Sequence, residues 1–466
     1  MQIVGLGNKA VDESKERVRA AFHSSKIEFP KSRIVINLSP ADIPKDGAAF
    51  DLSIALSIMI ASGICPQPKN DIYVYGELGL DGSVLAVRGI IGRLQSSHIL
   101  NGSACIVPEG NARHAMLVPG RRIVPAKDLY EALSILSGTQ KPRLTEPMPA
   151  KKSDTDHSFD EVKGQELAKR ALTIAGAGYH NVLLYGPPGT GKSMLAKALS
   201  SILPDLSPEA SLTATHLHSL RKDSFDTMIT RPPLRSPHHS ASNISILGGG
   251  QHARPGEVTL AHHGILFLDE MLEFSRSCIE ALRQPLEDRV IHVSRAELSV
   301  TYPASFLLIA TMNPCPCGYL GSKKPCTCSA HAITLYQRKL SGPIADRIDI
   351  FVKVDDVELT SLLDTPNTHS AEGIRSAIND ARQTQNTRQN GRLNAHLGNK
   401  DIRSLTIDKE SKNLLDNAAV KLGLSPRSYF RTLRVAQTIA DLDHSPIISP
   451  SHIAESLQYR PNLPSY

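Results

Sequence analysis

The amino-acid sequence predicts an α/β protein in which a parallel sheet carries a phosphate-binding loop and a helical region follows. Short apolar runs, such as ILFLDE at 265–270 and ASFLLIATMNP at 304–314, alternate with helical periodicity, which is typical of a sheet covered on both faces. GPPGTGKS at 186–193 stands between an apolar run and a helical pattern. From about residue 357 onward the periodicity is helical alone.

The chain divides into four predicted segments. Residues 1–137 mix helical periodicity, as in KAVDESKERVRAAF, with strand-like runs such as SRIVINLSP, which predicts a separate α/β domain. Residues 138–158 are rich in proline, lysine and polar residues, so we interpret them as a linker. Residues 159–356 form the core with the sheet. Residues 357–466 form the helical region, with helices expected over 370–388, 409–422, 428–442 and 449–457.

The composition is that of a globular protein, with 41% hydrophobic and 21% charged residues among 466. No run of about 18 apolar residues occurs, so no membrane partner is expected. The first residues lack the layout of a signal peptide, which predicts a cytoplasmic protein. The formal net charge of +6 permits a nucleic-acid partner, and ordinary surface charge explains it equally well.

The motif GPPGTGKS predicts an ATP site because it follows a strand and opens a helix. Its glycines let backbone N–H groups turn toward phosphates, and the helix N-terminus adds partial positive charge. Lys192 is expected to reach the β- and γ-phosphates, and the Ser193 hydroxyl to bind Mg²⁺. The predicted ATP-binding residues are Gly186, Pro187, Pro188, Gly189, Thr190, Gly191, Lys192 and Ser193.

The run ILFLDE predicts the second half of that site. Asp269 at the end of the strand is expected to hold Mg²⁺ together with Ser193. Glu270 is expected to polarise the attacking water. An apolar strand that ends in Asp-Glu is weak evidence alone, and its place downstream of a phosphate loop makes it strong.

Four stretches carry a resemblance to a known family. They are RSPHHSASNISILGGGQHARPGEVTLAHHGILFLDE, TMNPCPCGYLG, SGPIADRIDI and SYFRTLRVAQTIADL. They resemble the bacterial magnesium-chelatase-like family called YifB or ComM, within the AAA+ branch that contains the magnesium-chelatase ATPase subunit and the MCM helicases. The match covers nearly the whole chain. It implies a P-loop AAA+ core with a parallel sheet, a C-terminal helical lid, and ATP and Mg²⁺ as cofactors.

The resemblance also implies roles for three further residues. Asn313 in TMNP matches the position that orients the lytic water, and Arg347 in ADRIDI matches an arginine finger that reaches the neighbouring subunit's ATP. Arg427 in SPRSYF matches the sensor 2 arginine of the lid. An arginine that acts on a neighbour requires a ring, for which the family pattern suggests a homo-hexamer. The alternative for both arginines is a structural salt bridge.

Residues 290–301, VIHVSRAELSVT, read as a β-hairpin before the ASFLLIATMNP strand. In related helicases such a hairpin faces the central pore and grips DNA phosphates, and Arg295 is the cation at its tip. Phosphate contacts are independent of sequence, which suits a motor that moves along DNA. The alternative is an exposed arginine without a role.

Four of the seven cysteines fall within fourteen residues, as CPC at 315–317 and CTC at 326–328. Four thiolates close a tetrahedral zinc site, so Cys315, Cys317, Cys326 and Cys328 are candidates for a structural Zn²⁺. The CxC spacing is less usual than CxxC. Free thiols or a labile redox loop remain the alternative.

Residues 30–137 resemble the proteolytic domain of Lon through PKDGAAFDLSIAL and YGELGLDGSVLAVRGIIGRL. The serine position of that protease pattern falls on Ala49, and the lysine position falls on Ile91. A Ser-Lys dyad needs both groups, so the Lon-protease-like domain is predicted to be catalytically inactive. The family usually begins with several dozen further residues, so we expect this domain to be truncated at its N-terminus.

The leading functional prediction is an ATP-dependent hexameric DNA motor. Resemblance to the family implies branch migration on single-stranded or branched DNA during recombination and natural transformation. The alternatives are a magnesium-chelatase-type ATPase subunit, an ATP-driven remodeller of a protein partner, and an ATP-dependent protease, which Ala49 and Ile91 oppose.

Overall fold

A computed structural model describes residues 1–4, 9–39, 48–96, 98–141, 158–221, 227–250, 253–294, 299–355 and 370–460. The chain forms two compact units. The first contains residues 1–151 together with 208–229, and the second contains residues 152–207 and 230–466. The segment 208–229, which falls in the range predicted for the core, therefore belongs to the first unit.

The N-terminal part of the chain is a small α/β unit. Its strands are β1 (Gln2–Val4), β2 (Val35–Asn37), β3 (Ile72–Val74), β4 (Glu77–Leu78), β5 (Val84–Leu85), β6 (Ala104–Pro108) and β7 (Arg122–Ala126). Its helices are α1 (Lys9–Ser24), α2 (Asp51–Ala61), α3 (Ile90–Leu94), α4 (Ala112–Ala115) and α5 (Leu129–Leu136).

The rest of the chain holds nine strands and fourteen α-helices in the part that the structure describes. The strands are β8 (Val182–Tyr185), β9 (Leu234–Arg235), β10 (Gly248–Gly249), β11 (Arg254–Pro255), β12 (Ile265–Leu268), β13 (Val290–Ser294), β14 (Ser299–Pro303), β15 (Leu307–Met312) and β16 (Ile350–Lys353). The helices are α6 (Glu166–Gly178), α7 (Lys192–Ile202), α8 (Pro208–Ser219), α9 (Asn243–Leu247), α10 (Glu257–Leu260), α11 (Arg276–Ala281), α12 (Arg283–Asp288), α13 (Ala330–Gln337), α14 (Gly342–Ala345), α15 (Ala371–Gln389), α16 (Asn399–Arg403), α17 (Lys409–Leu422), α18 (Pro426–Leu442) and α19 (Pro450–Gln458).

In the first unit, β6 lies between β3 and β7 in a parallel sheet, and β1 pairs with β2 in a separate parallel pair. Helix α2 is apolar around most of its circumference because it is buried in the core of this unit. Leu212 of α8 packs into a second cluster with Val87, Ile90 and Ile91. Helix α8 is therefore part of the hydrophobic core of this unit.

The second unit is built on a five-stranded sheet in the order β16-β8-β15-β12-β9. All its pairings are parallel, so the carboxyl ends of the strands meet at one edge. Val182, Leu184 and Ile309 belong to one core cluster, and Leu183 and Leu308 belong to another. Alternate residues of the strands thus face two cores, which confirms the predicted P-loop AAA+ sheet covered on both sides.

The C-terminal helices lie close to their predicted bounds. Helices α15 and α18 are joined by a buried polar network in which Arg388 donates to both oxygens of Asp441 at 2.6 and 2.8 Å. Asn394 donates to the same carboxylate at 2.8 Å, and the Asp441 side chain is 1% exposed. Gln437 donates to this carboxylate at 2.9 Å, so the buried carboxylate has four donors, its charge is compensated and the helices are held in one arrangement.

Strands β13 and β14 form the predicted hairpin, with Val290 opposite Pro303 and Ser294 opposite Ser299. Arg295, the predicted DNA contact, lies outside the described residues, as does most of the predicted linker 138–158. Within the described residues no helix combines the length and apolar character needed to cross a bilayer.

Candidate nucleotide site

The phosphate loop joins β8 to α7 at the carboxyl edge of the sheet. Gly189 and Gly191 adopt φ of +85° and +84°, a backbone conformation that side chains disfavour. A Cβ atom at Gly186 would lie 2.1 Å from the backbone oxygen of Val354, so only glycine fits between β8 and the residue after β16. The backbone geometry therefore explains why the loop has glycine at each of these three positions.

Lys192, at the first turn of α7, is largely buried. Its Nζ donates to the backbone oxygens of Gly186 and Pro187 at 2.8 and 2.6 Å, and it lies 3.4 Å from Oδ1 of Asn313. Asn313 follows β15, which neighbours β8 in the sheet. The ammonium group is therefore held inside the loop, beside the side chain predicted to orient water.

Ser193 and Asp269 meet as predicted. The Ser193 hydroxyl lies 2.9 Å from both carboxylate oxygens of Asp269. A hydroxyl and a carboxylate supply the hard oxygen ligands that Mg²⁺ prefers, so this pair fits the ion.

Thr311 is a site residue that sequence reasoning missed. Its hydroxyl donates to Asp269 Oδ1 at 2.6 Å and accepts from the Glu270 backbone N–H at 2.9 Å. One side chain of β15 thereby orients both acidic residues at the end of β12. The available signal was a polar residue in the otherwise apolar run LLIATM, two positions before Asn313.

Glu270 is exposed and follows β12 with φ of +50°. Non-glycine residues in this region cost of the order of 1–3 kcal/mol and are concentrated at functional sites. The conformation turns the chain sharply where the strand ends, so the carboxylate is presented at the same edge as the phosphate loop. Lys192, Ser193, Asp269 and Asn313 converge at that edge with it.

The two predicted arginines lie elsewhere. Arg347 precedes the first residue of β16 by three positions, so it stands at the amino edge of the sheet, opposite the phosphate loop. Its guanidinium pairs with Glu287 of α12, and Arg427 donates to the other oxygen of Glu287 at 2.9 Å. Burial lowers the pKa of Arg347, and the charges of Arg427 and Arg283 add to this. No sequence signal pointed to Glu287.

The four clustered cysteines come together. Their Sγ atoms all lie within 4.8 Å of one another, with separations of 3.4, 3.5 and 3.7 Å among Cys315, Cys317 and Cys326. Four sulfurs at about 2.3 Å from a tetrahedral Zn²⁺ are about 3.8 Å apart, so these thiols fit such an ion. The backbone N–H groups of Tyr319 and Thr327 lower the pKa of Cys317, whereas burial and hydrogen bonds from the neighbouring thiols raise the pKa of Cys326 and Cys328, so the metal-free cluster shares its protons.

The cysteine loop touches the phosphate loop. Gly318 has φ of +84°, and a Cβ atom there would lie 2.8 Å from Cδ of Pro188 and 3.9 Å from Cγ of Asn313. The cysteine cluster and the nucleotide site are therefore in direct packing contact.

The Lon-like positions lie in a hydrophobic environment. Ala49 and Ile91 are both buried in one apolar cluster of the first unit, with Cys105 and Val107. Neither side chain offers a nucleophile or a base.

Comparison with known proteins identifies the family. Residues 158–362 match the family model described as magnesium chelatase, subunit ChlI, and residues 368–460 match its C-terminal model. Residues 1–111 match the model described as subunit ChlI of Mg-chelatase.

Two curated relatives match almost end to end. The uncharacterized protein YifB of Escherichia coli strain K12 is 40% identical over 99% of this chain and 91% of the relative. The competence protein ComM of Haemophilus influenzae is 38% identical over 98% of this chain and 91% of the relative. By contrast, the magnesium-chelatase 67 kDa subunit of Chlorobaculum parvum is 27% identical over 34% of this chain and 23% of its own length. The chain belongs to the YifB/ComM family of magnesium-chelatase-like AAA+ ATPases.

Proposed function

We propose that this protein is an ATP-driven motor that assembles as a homo-hexameric ring and acts on single-stranded or branched DNA, as a branch-migration helicase in recombination. The observation that carries the proposal is the division of the ATP machinery between two edges of one sheet. Lys192, Ser193 and Asp269 stand at the carboxyl edge, and Arg347 and Arg427 stand near the amino edge.

The residues at the carboxyl edge suit ATP hydrolysis. Lys192 would bind the β- and γ-phosphates, and Ser193 and Asp269 would hold Mg²⁺, which neutralises charge that develops on the transferring phosphoryl group. Glu270 would accept a proton from the attacking water, and Asn313 would orient that water. Thr311 keeps the Asp269 carboxylate and the Glu270 backbone in place through its hydroxyl.

The position of the arginines supports a ring. The four residues of β16 separate its two ends by about 13 Å at ~3.3 Å per residue, so Arg347 does not reach the phosphate loop of its own chain. An arginine that stabilises the transition state must then come from a neighbour. Arg427 shares Glu287 with Arg347, so we propose that both act on the same adjacent ATP.

Two observations support DNA as the substrate. The hairpin β13–β14 has the form of the pore hairpin of related helicases, and the sequence places Arg295 at its tip. The relative from Haemophilus influenzae is named a competence protein, and competence concerns the uptake of DNA. A ring repeats each phosphate contact at every subunit, which multiplies a weak single contact.

The cysteine cluster supports a structural Zn²⁺ held by four thiolates. A closed four-sulfur site leaves no open position for chemistry, so its role would be to fix the loop that packs on Pro188.

The descriptions of the family models favour a second candidate, a magnesium-chelatase-type ATPase subunit. Its weakness is that the matched chelatase subunit of Chlorobaculum parvum covers only 34% of this chain. A remodeller of a protein partner would use the same ATP site.

The burial of Ala49 and Ile91 supports a first unit without peptidase activity.

The test is a four-way or forked DNA junction incubated with ATP and the purified protein. We expect wild type to convert the junction to product duplexes and Lys192→Ala to leave it intact. A protein that hydrolyses ATP normally, binds no DNA at low salt and leaves junctions intact would contradict the DNA motor. The same preparations assayed for insertion of Mg²⁺ into a porphyrin test the second candidate.

A further inference from the structure

A polar cavity of about 90 Å³ lies within the second unit, at the amino edge of the sheet. Four arginines line it: Arg289 after α12, Arg347 before β16, and Arg431 and Arg434 on α18. The carboxylate of Asp349 is the acidic group in its lining. A cavity of this kind is dominated by positive charge.

Two of the four guanidinium groups have acidic partners. Arg431 lies 3.6 Å from Asp349, whose other oxygen accepts from the Asn181 backbone N–H at 3.2 Å. Arg347 pairs with Glu287. His396 adds no charge near neutral pH, because burial lowers its pKa to about 3. Excess charge therefore resides on the remaining pair.

Arg289 and Arg434 are that pair. Neither guanidinium forms a hydrogen bond or ion pair with any residue that the structure describes, and Nε of Arg434 is buried without a partner. Burial lowers the pKa of both groups. The charge of Arg434 lowers the pKa of Arg289 further, and the nearby Asp349 carboxylate offsets part of the effect of burial on the pKa of Arg434. Two like charges that are partly buried and unpaired are destabilising unless an anion compensates them.

We propose that this cavity is a binding site for one phosphate group, held between Arg289 and Arg434. Guanidinium groups recognise tetrahedral oxyanions through paired N–H donors, and arginine keeps its charge at physiological pH. The volume is several times the 10–15 Å³ that one water needs, which admits a small oxyanion. The site lies at the sheet edge opposite Lys192, so it is separate from the phosphate loop of its own chain; Arg347 in its lining is also the residue proposed to reach the ATP of a neighbouring subunit.

The phosphate has two chemical sources, free inorganic phosphate and the phosphate group of a nucleotide. Bound between the residue after α12 and helix α18, it would tie the core of the second unit to its C-terminal helices. Binding would therefore raise the thermal stability of this unit, and the stabilisation would grow with the logarithm of the phosphate concentration above Kd.

The experiment uses the full chain with Lys192→Ala, which disables the phosphate loop, in a buffer without phosphate or sulfate. Isothermal titration with inorganic phosphate and, separately, with AMP measures affinity and stoichiometry. We expect saturable binding of one phosphate per chain, weakened at least tenfold by Arg434→Met or Arg289→Met. The control Arg375→Gln removes a guanidinium that pairs with Asp205 and does not line the cavity, and this variant should bind phosphate normally.

A second readout separates an anion site from a structural arginine. Without phosphate, Arg434→Met should raise the melting temperature, because it removes an unpaired like charge, and phosphate should no longer stabilise the protein. If neither inorganic phosphate nor AMP binds saturably, or if both methionine variants bind these ligands as tightly as the parent protein does, the proposal is overturned. Binding of AMP but not of inorganic phosphate would assign the site to a nucleotide, and the reverse would assign it to the free ion.

Discussion

Replacing Arg347 with alanine tests whether ATP is hydrolysed between subunits. In its own chain Arg347 stands at the sheet edge opposite Lys192 and pairs with Glu287. Arg347→Ala should therefore bind ATP normally. Its turnover should fall by about 10³-fold or more, the contribution that an arginine finger makes to kcat.

The loss of the ion pair itself explains little of that effect. The Arg347 side chain is 10% exposed, but Glu287 is half exposed and keeps Arg427 at 2.9 Å, so water partly screens the pair and its loss alone should lower stability rather than turnover. Glu287→Gln is the matched control, because it weakens the same pairing and leaves the arginine in place. It should retain most of the turnover.

The decisive assay mixes two inactive variants. A Lys192→Ala subunit still carries Arg347, and an Arg347→Ala subunit still carries an intact phosphate loop. Where the arginine of the first faces the phosphate loop of the second, the interface has a complete site. Random mixing in equal amounts should restore about a quarter of wild-type turnover, because about one interface in four combines the two intact halves. If mixtures stay inactive, or if Glu287→Gln is as inactive as Arg347→Ala, the reasoning is refuted and Arg347 is a structural residue.

Three further predictions concern the same site. Thr311→Val should lower kcat by roughly 10- to 100-fold, because it removes a hydrogen bond of about 1.5–3 kcal/mol to the Asp269 carboxylate; steady-state ATP hydrolysis measures this. Gly318→Ala should weaken ATP binding by roughly fivefold or more, since its Cβ would lie 2.8 Å from Pro188 and overpacking costs about 1–3 kcal/mol; titration with a slowly hydrolysed ATP analogue measures it. Elemental analysis should find one zinc per chain in wild type and much less in Cys317→Ser.

Each of these has a matched control. Gly321→Ala shares the positive φ in the same loop but meets no atom within 4 Å, so it should bind ATP normally. Thr334→Val removes a hydroxyl on the exposed face of α13 and should leave kcat unchanged. Cys278→Ala, a buried cysteine outside the cluster, should keep its zinc. Equal effects of variant and control, or wild type without zinc, would contradict the corresponding prediction.

The phosphate loop and the Asp269–Glu270 pair were predictable because their functional residues lie in short contiguous motifs. The strand and helix that flank these motifs could also be predicted from the sequence. The cysteine cluster was predictable for a similar reason. Its four thiols lie within one loop, so a short chain closure brings them together.

Thr311 and Glu287 could not be predicted because their roles depend on tertiary register. Thr311 reaches Asp269 only because β15 lies beside β12 in the sheet. Glu287 gathers two arginines from distant points of the chain. Helix α8 shows the same limit, since its sequence range lies within the predicted core while Leu212 packs with the first unit.

The most direct test of the account is ATP turnover by Glu270→Gln beside wild type, with ATP binding measured on the same samples. The account predicts that the variant binds ATP as tightly as wild type and that hydrolysis falls by about 10²- to 10⁴-fold, the usual contribution of a general base. Full turnover by Glu270→Gln would contradict the assignment of the carboxyl edge of this sheet as the hydrolytic centre.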